Sequence, residues 1–276
     1  MFVTFLSDFG LQDDFVGTCH GVIKRIAPDV QVIDITHGIP PRAVVQGALV
    51  LANTVPYMPQ GVHLAVIDPG VGGARRALAL RDKEGRFYVG PDNGLLLAAA
   101  GRTGIEEAHE ILNPQYALEP VSRTFHGRDI FAPAAAHLAK GVALEELGPP
   151  IDPAALVQLE LPTAKFGRNR IEATVLYVDN FGNIQLNLTR EHLDQVDVER
   201  GVNLAVHRRE CVLERAKCVR GAAGVPDRGE LVELRAHQTA EETPGRRPAN
   251  DQVRHEAREP LPEAADHGAS RLIRRL

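Results

Sequence analysis

The chain has 276 residues, 44% of them hydrophobic, which is enough for one large domain or two of ordinary size with a real core. A formal net charge of -5 gives no pull towards nucleic acid or an anionic membrane, and no apolar run is long enough to span a bilayer. Three widely spaced cysteines (Cys19, Cys211, Cys218) suggest neither a disulfide framework nor a zinc site, and the opening Met1–Leu6 has no basic lead before Asp8, so a cytoplasmic protein without a signal peptide is expected.

In chain order, residues 2–6 read as a short apolar strand that stops at Asp8. Val16, Cys19, Val22, Ile23 and Ile26 then recur at helical spacing over 15–27. Residues 31–35 give a second strand, 43–55 a second helix, and 62–67 a third strand closed by Asp68-Pro69-Gly70. Strand and helix alternating in this way predict an α/β layer with a mainly parallel sheet. Further strands are expected near 76–80 and 87–90. The turn Gly90-Pro91-Asp92-Asn93-Gly94 precedes a helix over 95–100, and another helix over 129–140 ends at Gly141.

The composition changes after Gly148. Pro149, Pro150, Pro153 and Pro162 mark a linker, and 171–178 and 184–188 read as strands joined by Asp179-Asn180-Phe181-Gly182-Asn183. The expected architecture is a three-layer N-terminal α/β domain (1–148), a Pro-rich linker (149–169) and a smaller C-terminal β domain (170–235) that is incomplete or altered. A poorly packed tail (236–276) follows. After Phe181 there is no Phe, Tyr or Trp, and thirteen arginines fall at or after Arg208. From Ala236 to Leu276 only five residues are Leu, Ile, Val, Met, Phe, Tyr, Trp or Cys, too few to offset the entropy of ordering the segment. A solvated tail and a changed reading frame both fit this composition.

Three segments carry candidate chemistry. Thr124-Phe125-His126-Gly127-Arg128-Asp129 puts a histidine, the side chain that titrates nearest neutrality, just ahead of a helix. Ser7-Asp8-Phe9-Gly10 and Asp68-Pro69-Gly70-Val71-Gly72-Gly73-Ala74-Arg75-Arg76 both follow strands, and open α/β sheets bind ligands at the carboxyl ends of their strands. Arg75 and Arg76, read as neighbours on a strand, point to opposite faces, so one enters the crevice. The glycines allow close approach, yet neither a dinucleotide fingerprint nor a P-loop is present. Each residue has a plainer alternative. Asp8 is an ordinary turn residue, Asp13 and Asp14 suit a helix N-terminus, and an Asp68–Arg75 pair can be merely structural. His37 also follows a strand and rivals His126. His20 and His137 read as helix packing or surface residues. No histidine pair has local metal-ligand spacing, so no metal site is expected.

Six segments in this order resemble one family, from Met1 to about Val206. They are Ser7-Asp8-Phe9-Gly10, Asp34-Ile35-Thr36-His37, Val66-Ile67-Asp68-Pro69-Gly70-Val71-Gly72, Val89-Gly90-Pro91-Asp92-Asn93-Gly94, the His126 segment and Asp179-Asn180-Phe181-Gly182-Asn183. The family is the adenosine-forming S-adenosyl-L-methionine (SAM) hydrolases, or SAM hydroxide adenosyltransferases, relatives of the fluorinases and chlorinases. The resemblance implies an α/β domain, a β-barrel-like C-terminal domain and a homotrimer with substrate held between subunits. It implies a catalytic set of Asp68, Arg75 and His126, with Asp8 at the ribose hydroxyls and Asp13 near the methionine moiety. Asp179, Phe181 and Asn183 would contact methionine and adenine. No cofactor, metal, nucleic acid or membrane is implied. The family's usual C-terminal motif is missing after Ala205, and Gly229–Leu234 resembles it only faintly.

The reaction so implied is attack of water at C5′ of SAM with loss of neutral L-methionine. A sulfonium leaves readily, so the burden falls on the weak nucleophile, which His126 would deprotonate or orient while Arg75 and Asp68 stabilise and align it. Two rivals stand beside it. One is a non-catalytic SAM or adenosine binder, and the other is a metal-assisted hydrolase using Asp8, His37 and His126.

Overall fold

The computed structural model describes residues 1–166, 170–189, 192, 202–207, 210–215 and 231–235. The expected tail at 236–276 lies outside the described residues.

Six strands form the first sheet: β1 (Phe2–Ser7), β2 (Gln31–Thr36), β3 (Gly61–Val66), β4 (Ala77–Asp82), β5 (Phe87–Pro91) and β6 (Ile105–Glu110). Their spatial order is β2-β1-β3-β5-β4-β6. The first four in that order are parallel, and β4 runs antiparallel to both β5 and β6. The mainly parallel expectation therefore holds. The edge strand β6 escapes a reading based on apolar pattern because its sequence is Ile-Glu-Glu-Ala-His-Glu. Charged side chains are common on an outer strand, and Glu106 and Glu107 both pair with Arg81 of β4.

Helices cover both faces. On one, α1 (Phe15–Ile26) packs beside α4 (Ala132–Ala139) over Val3, Phe5, Val62 and Leu64. On the other, α2 (Val44–Thr54) and α3 (Leu97–Ala100) cover Leu6, Ala65, Ile67, Leu78 and Leu80. The strands send alternate residues to the two cores, as a period of two requires. Every residue of β3 is buried, which is why it reads as a continuous apolar run.

From β1 the chain steps outward through α1 to β2. It then returns through α2 on the opposite face to β3, on the other side of β1. The strand order reverses there, so the carboxyl ends of β1 and β3 form the topological switch point where α/β sheets bind ligands. Ser7 pairs with Val66, so Asp8 and Asp68 leave the sheet from neighbouring strands at the same edge.

The helix expected at 129–140 begins as a π-helical turn over Gly127–Phe131 before α4, and Gly141 ends it with a φ of 95°. The helix expected at 95–100 is confined to Leu97–Ala100. Residues 149–157 lie against the first sheet. Pro149 accepts from the Glu110 amide, Ile151 donates to Ala108, and the Val157 amide reaches Asp92.

The remaining strands, β7 (Lys165–Phe166) to β12 (Leu231–Arg235), form an antiparallel sheet in the order β10-β11-β8-β9-β12, with β7 beside β8. Its centre is the hairpin of β8 (Arg170–Val178) and β9 (Asn183–Thr189). β12 pairs with β9, so the segment resembling the missing motif does supply a strand.

Candidate active site

Asp68, Arg75 and His126, far apart in sequence, form one hydrogen-bonded chain. The Arg75 Nε donates to both Asp68 oxygens at 3.0 and 2.9 Å, and its Nη2 also donates to Asp68 Oδ2. The same Nη2 lies 2.7 Å from His126 Nδ1. A guanidinium has only donors, so Nδ1 must be the acceptor and the neutral ring carries its proton on Nε2. Burial lowers the His126 pKa below its ordinary 6.5 and the neighbouring Arg75 charge lowers it further, against opposing pulls from Asp68 and the Ser122 backbone. Electrostatics and hydrogen bonding thus favour the same uncharged imidazole.

The guanidinium is held along its Nε and Nη2 edge, and Nη1 makes no hydrogen bond among the described residues. Its carbon sits 5.0 Å from the ring centre of fully buried Phe131, and the Arg75 and Asp68 side chains are only 12% and 6% exposed. The turn that delivers Arg75 needs glycine. Gly72 has a φ of 72°, and a Cβ there would lie 2.2 Å from the Arg123 carbonyl oxygen. The Asp68–Arg75 turn therefore packs directly on the loop that carries His126. Arg75 and Arg76 precede β4 rather than lying within it, yet they still diverge. Arg76 turns away to Asp92 and the Ala155 carbonyl.

The His126 loop is braced from below. Asp129 accepts from the Ser122 amide at 2.8 Å and from the Arg128 Nε at 2.6 Å, and Ser122 Oγ accepts from the Phe125 amide. Burial works to raise the Asp129 pKa, but these hydrogen bonds outweigh it and hold the carboxyl below its usual range. Phe131, Ser122 and Asp129 were not singled out by sequence reasoning. The Arg128-Asp129 pair inside the motif was the available signal.

Asp8 joins the same edge. One of its oxygens, Oδ2, accepts the Arg42 amide at 2.8 Å and holds Arg42 at a φ of 66°, while Oδ1 has no hydrogen bond among the described residues. The Asp8 loop is tied to the His126 loop by rings, since Phe125 meets Phe9 at 5.8 Å and Phe15 at 5.0 Å. Asp13 lies on the exposed turn before α1 and makes no hydrogen bond among the described residues.

Asp179 and Asn183 close the β8–β9 turn on each other. Asp179 Oδ1 accepts the Phe181 and Asn183 amides, and its Oδ2 accepts from Asn183 Nδ2 at 2.6 Å. This organisation pushes Phe181 outward, where it is 91% exposed, so the described residues do not cover it.

His37 does not join His126. Its Nδ1 meets Ser7 Oγ at 2.7 Å, and its Nε2 faces Asp34, which also contacts His20. The metal trio of Asp8, His37 and His126 is therefore not assembled. Among the described residues, the group with the spacing to hold a metal is His20, Asp34 and His37.

The family described as SAM hydroxide adenosyltransferase, N-terminal domain, matches residues 3–148. A protein of Salinispora arenicola named (R)-S-adenosyl-L-methionine hydrolase is 51% identical over 195 residues, covering 70% of this chain and 74% of that one. One of the same name from Thermus thermophilus is 44% identical over 198 residues, covering 68% and 74%. Among solved structures, an uncharacterised conserved protein from Thermotoga maritima is 37% identical with a TM-score of 0.67, covering 78% of this chain and 83% of its own.

Proposed function

Because this chain belongs to the SAM hydroxide adenosyltransferase family, we propose that it hydrolyses SAM to adenosine and L-methionine at the edge where β1 and β3 end. The observation that carries this reading is the Asp68–Arg75–His126 chain beside Asp8. What supports it is that the Arg75 guanidinium and the Nε2 proton of His126 offer donors to one water.

The roles follow from the hydrogen bonds. Asp68 fixes the guanidinium with both oxygens, and Arg75 in turn fixes the ring tautomer of His126. The Nδ1 lone pair is committed to Arg75, so His126 orients the water through its Nε2 proton rather than acting as the base. Arg75 stabilises the hydroxide character that grows on the water oxygen as one of its protons passes to a neighbouring solvent molecule and the oxygen attacks C5′. The C5′–S bond breaks with its electron pair going to sulfur, and methionine leaves neutral. The oxygen keeps its other proton and becomes the 5′-hydroxyl of adenosine. Nucleophile and electrophile lose opposite charge character together, which a dry, partly buried site favours. Asp8 offers Oδ1 to the ribose hydroxyls, Asp13 serves the methionine end, and a sulfonium leaving group calls for no metal in the chemical step.

Phe181, Asp179 and Asn183 complete the pocket from a neighbouring subunit of a homotrimer. What supports this reading is that the Phe181 ring is nine-tenths exposed on a hydrogen-bonded turn, where a second chain could use it. A non-catalytic SAM binder is the second reading, favoured by the absence of the usual motif after Ala205. Incubation with the (R) form of SAM, followed by chromatography, separates the two. Equal amounts of adenosine and methionine, undiminished by chelator, support hydrolysis, and retained intact SAM supports binding alone.

A further inference from the structure

The geometry points to a mononuclear site for a divalent first-row transition ion at His20, Asp34 and His37, separate from the hydrolytic residues. His20 Nε2 lies 2.8 Å and His37 Nε2 3.1 Å from the same Asp34 oxygen, and the three ligand atoms all fall within 4.8 Å of one another. Two imidazoles and one carboxylate with an open fourth position form a common donor set for zinc and related ions. Tetrahedral bonds of about 2.1 Å put ligand atoms roughly 3.4 Å apart, so the His20 and His37 contacts to Asp34 must open by about 0.6 and 0.3 Å.

The second observation is His37 itself. Its side chain is 2% exposed, and Nε2 is buried with no hydrogen-bond partner among the described residues, because its approach to Asp34 is poorly aligned for one. A buried ring nitrogen without a partner is costly. A lone pair aimed at a cation resolves that cost. The other ring nitrogen is already supported as a ligand's should be. Nδ1 lies 2.7 Å from Ser7 Oγ, a hydroxyl able to accept its proton and so leave Nε2 free to bind metal. Phe5 packs against His37 with ring centres 4.7 Å apart and supplies an apolar wall.

The backbone is shaped for this convergence. Asp34 and His37 are three residues apart, and a regular strand would send them to opposite faces. The β1–β2 register slips here, with Asp34 opposite Phe5 but Thr36 opposite Leu6. The extra residue, Ile35, bulges out and re-aims the following side chains towards α1, where His20 waits. His20 and Asp34 are 33% and 40% exposed, which gives an ion a path in and leaves room for a water as fourth ligand. The bound ion would clamp α1 to β2 and, through Ser7, steady the loop that carries Asp8.

The test uses the full chain stripped with EDTA and titrated with zinc chloride against a chromophoric chelator. One zinc per chain is expected. Cobalt(II) in its place should give visible d–d bands without thiolate charge transfer, which sets the site apart from the cysteines. His20→Ala and Asp34→Asn each alter a partly exposed side chain, so two variants checked by circular dichroism read the same affinity. Each should weaken zinc more than about 100-fold, since even an outer partner of a ligand is worth 10–100-fold. Zinc should raise the melting temperature of the unaltered chain and not that of either variant. No saturable uptake by the unaltered chain, or equal affinity in both folded variants, overturns the site.

Discussion

Three side chains decide the proposed chemistry, and their contacts dictate what each substitution does. Arg75→Lys keeps the charge but loses the fork that grips Asp68 and reaches His126, so kcat should fall by about 10²–10³-fold, measured by adenosine release. Unchanged turnover would remove Arg75 from the mechanism. His126 sets the acid limb. Its pKa is lowered, so the neutral ring persists below pH 6.5, and kcat/KM should hold at that pH and decline only as the solution becomes more acidic. The same sign governs stability, because the contribution is complete above the unfolded value and is lost as pH falls through the folded one. A kinetic limb above pH 6.5 would contradict the assignment. The residues of this set were legible from their motifs, but their partners were not. Nothing in the order of residues says that His126 accepts from Arg75, or that His20, which reads as a helix packing or surface residue, meets Asp34 of β2. Such pairings come from tertiary placement.

Among the elements, the glycine turn after β3 and the buried face of that strand carry the clearest expectations. Gly72→Ala meets both a left-handed backbone, costing about 1–2 kcal/mol, and the Arg123 carbonyl. It should lower the melting temperature and depress kcat together, because relief of the clash separates Arg75 from His126. A variant with full activity would show that the two loops need not touch. His63, on β3, is fully buried, hydrogen-bonds Thr4 at 2.8 Å, and has its pKa pushed down to about 4, first by burial and then by the Arg86 charge. The unfolded chain therefore binds more protons between pH 6.5 and 4. Denaturant unfolding should lose about 3 kcal/mol across that window, and His63→Leu should flatten the slope. The strands and helices of the first sheet were readable from apolar periodicity wherever one face is buried. The edge strand β6 and the bulge in β2 were not. An edge strand is selected for charge, and a bulge is a matter of register that needs both strands to be seen.

At the scale of the whole molecule, the proposed site is one half of a pocket. Phe181→Ser should leave the melting temperature unchanged, since the ring is nine-tenths exposed, and should raise KM for SAM about tenfold, the weight of an aromatic ring stacked on a base. Light scattering should give three chains per particle, and a monomer with full activity would refute the shared pocket. The α/β class, the hairpin turn and the sheet edge of the site were all present in the sequence as patterns within single segments. How copies of the chain meet was not, because it depends on surfaces drawn from many segments. The central claim is that a water held by Arg75 and His126 displaces methionine from C5′. Turnover of (R)-SAM in ¹⁸O-water tests it most directly. The account predicts one labelled oxygen in the 5′-hydroxyl of adenosine and an equal amount of unlabelled methionine, both lost in His126→Ala. Adenosine without the label, or product formation undiminished in that variant, would contradict it.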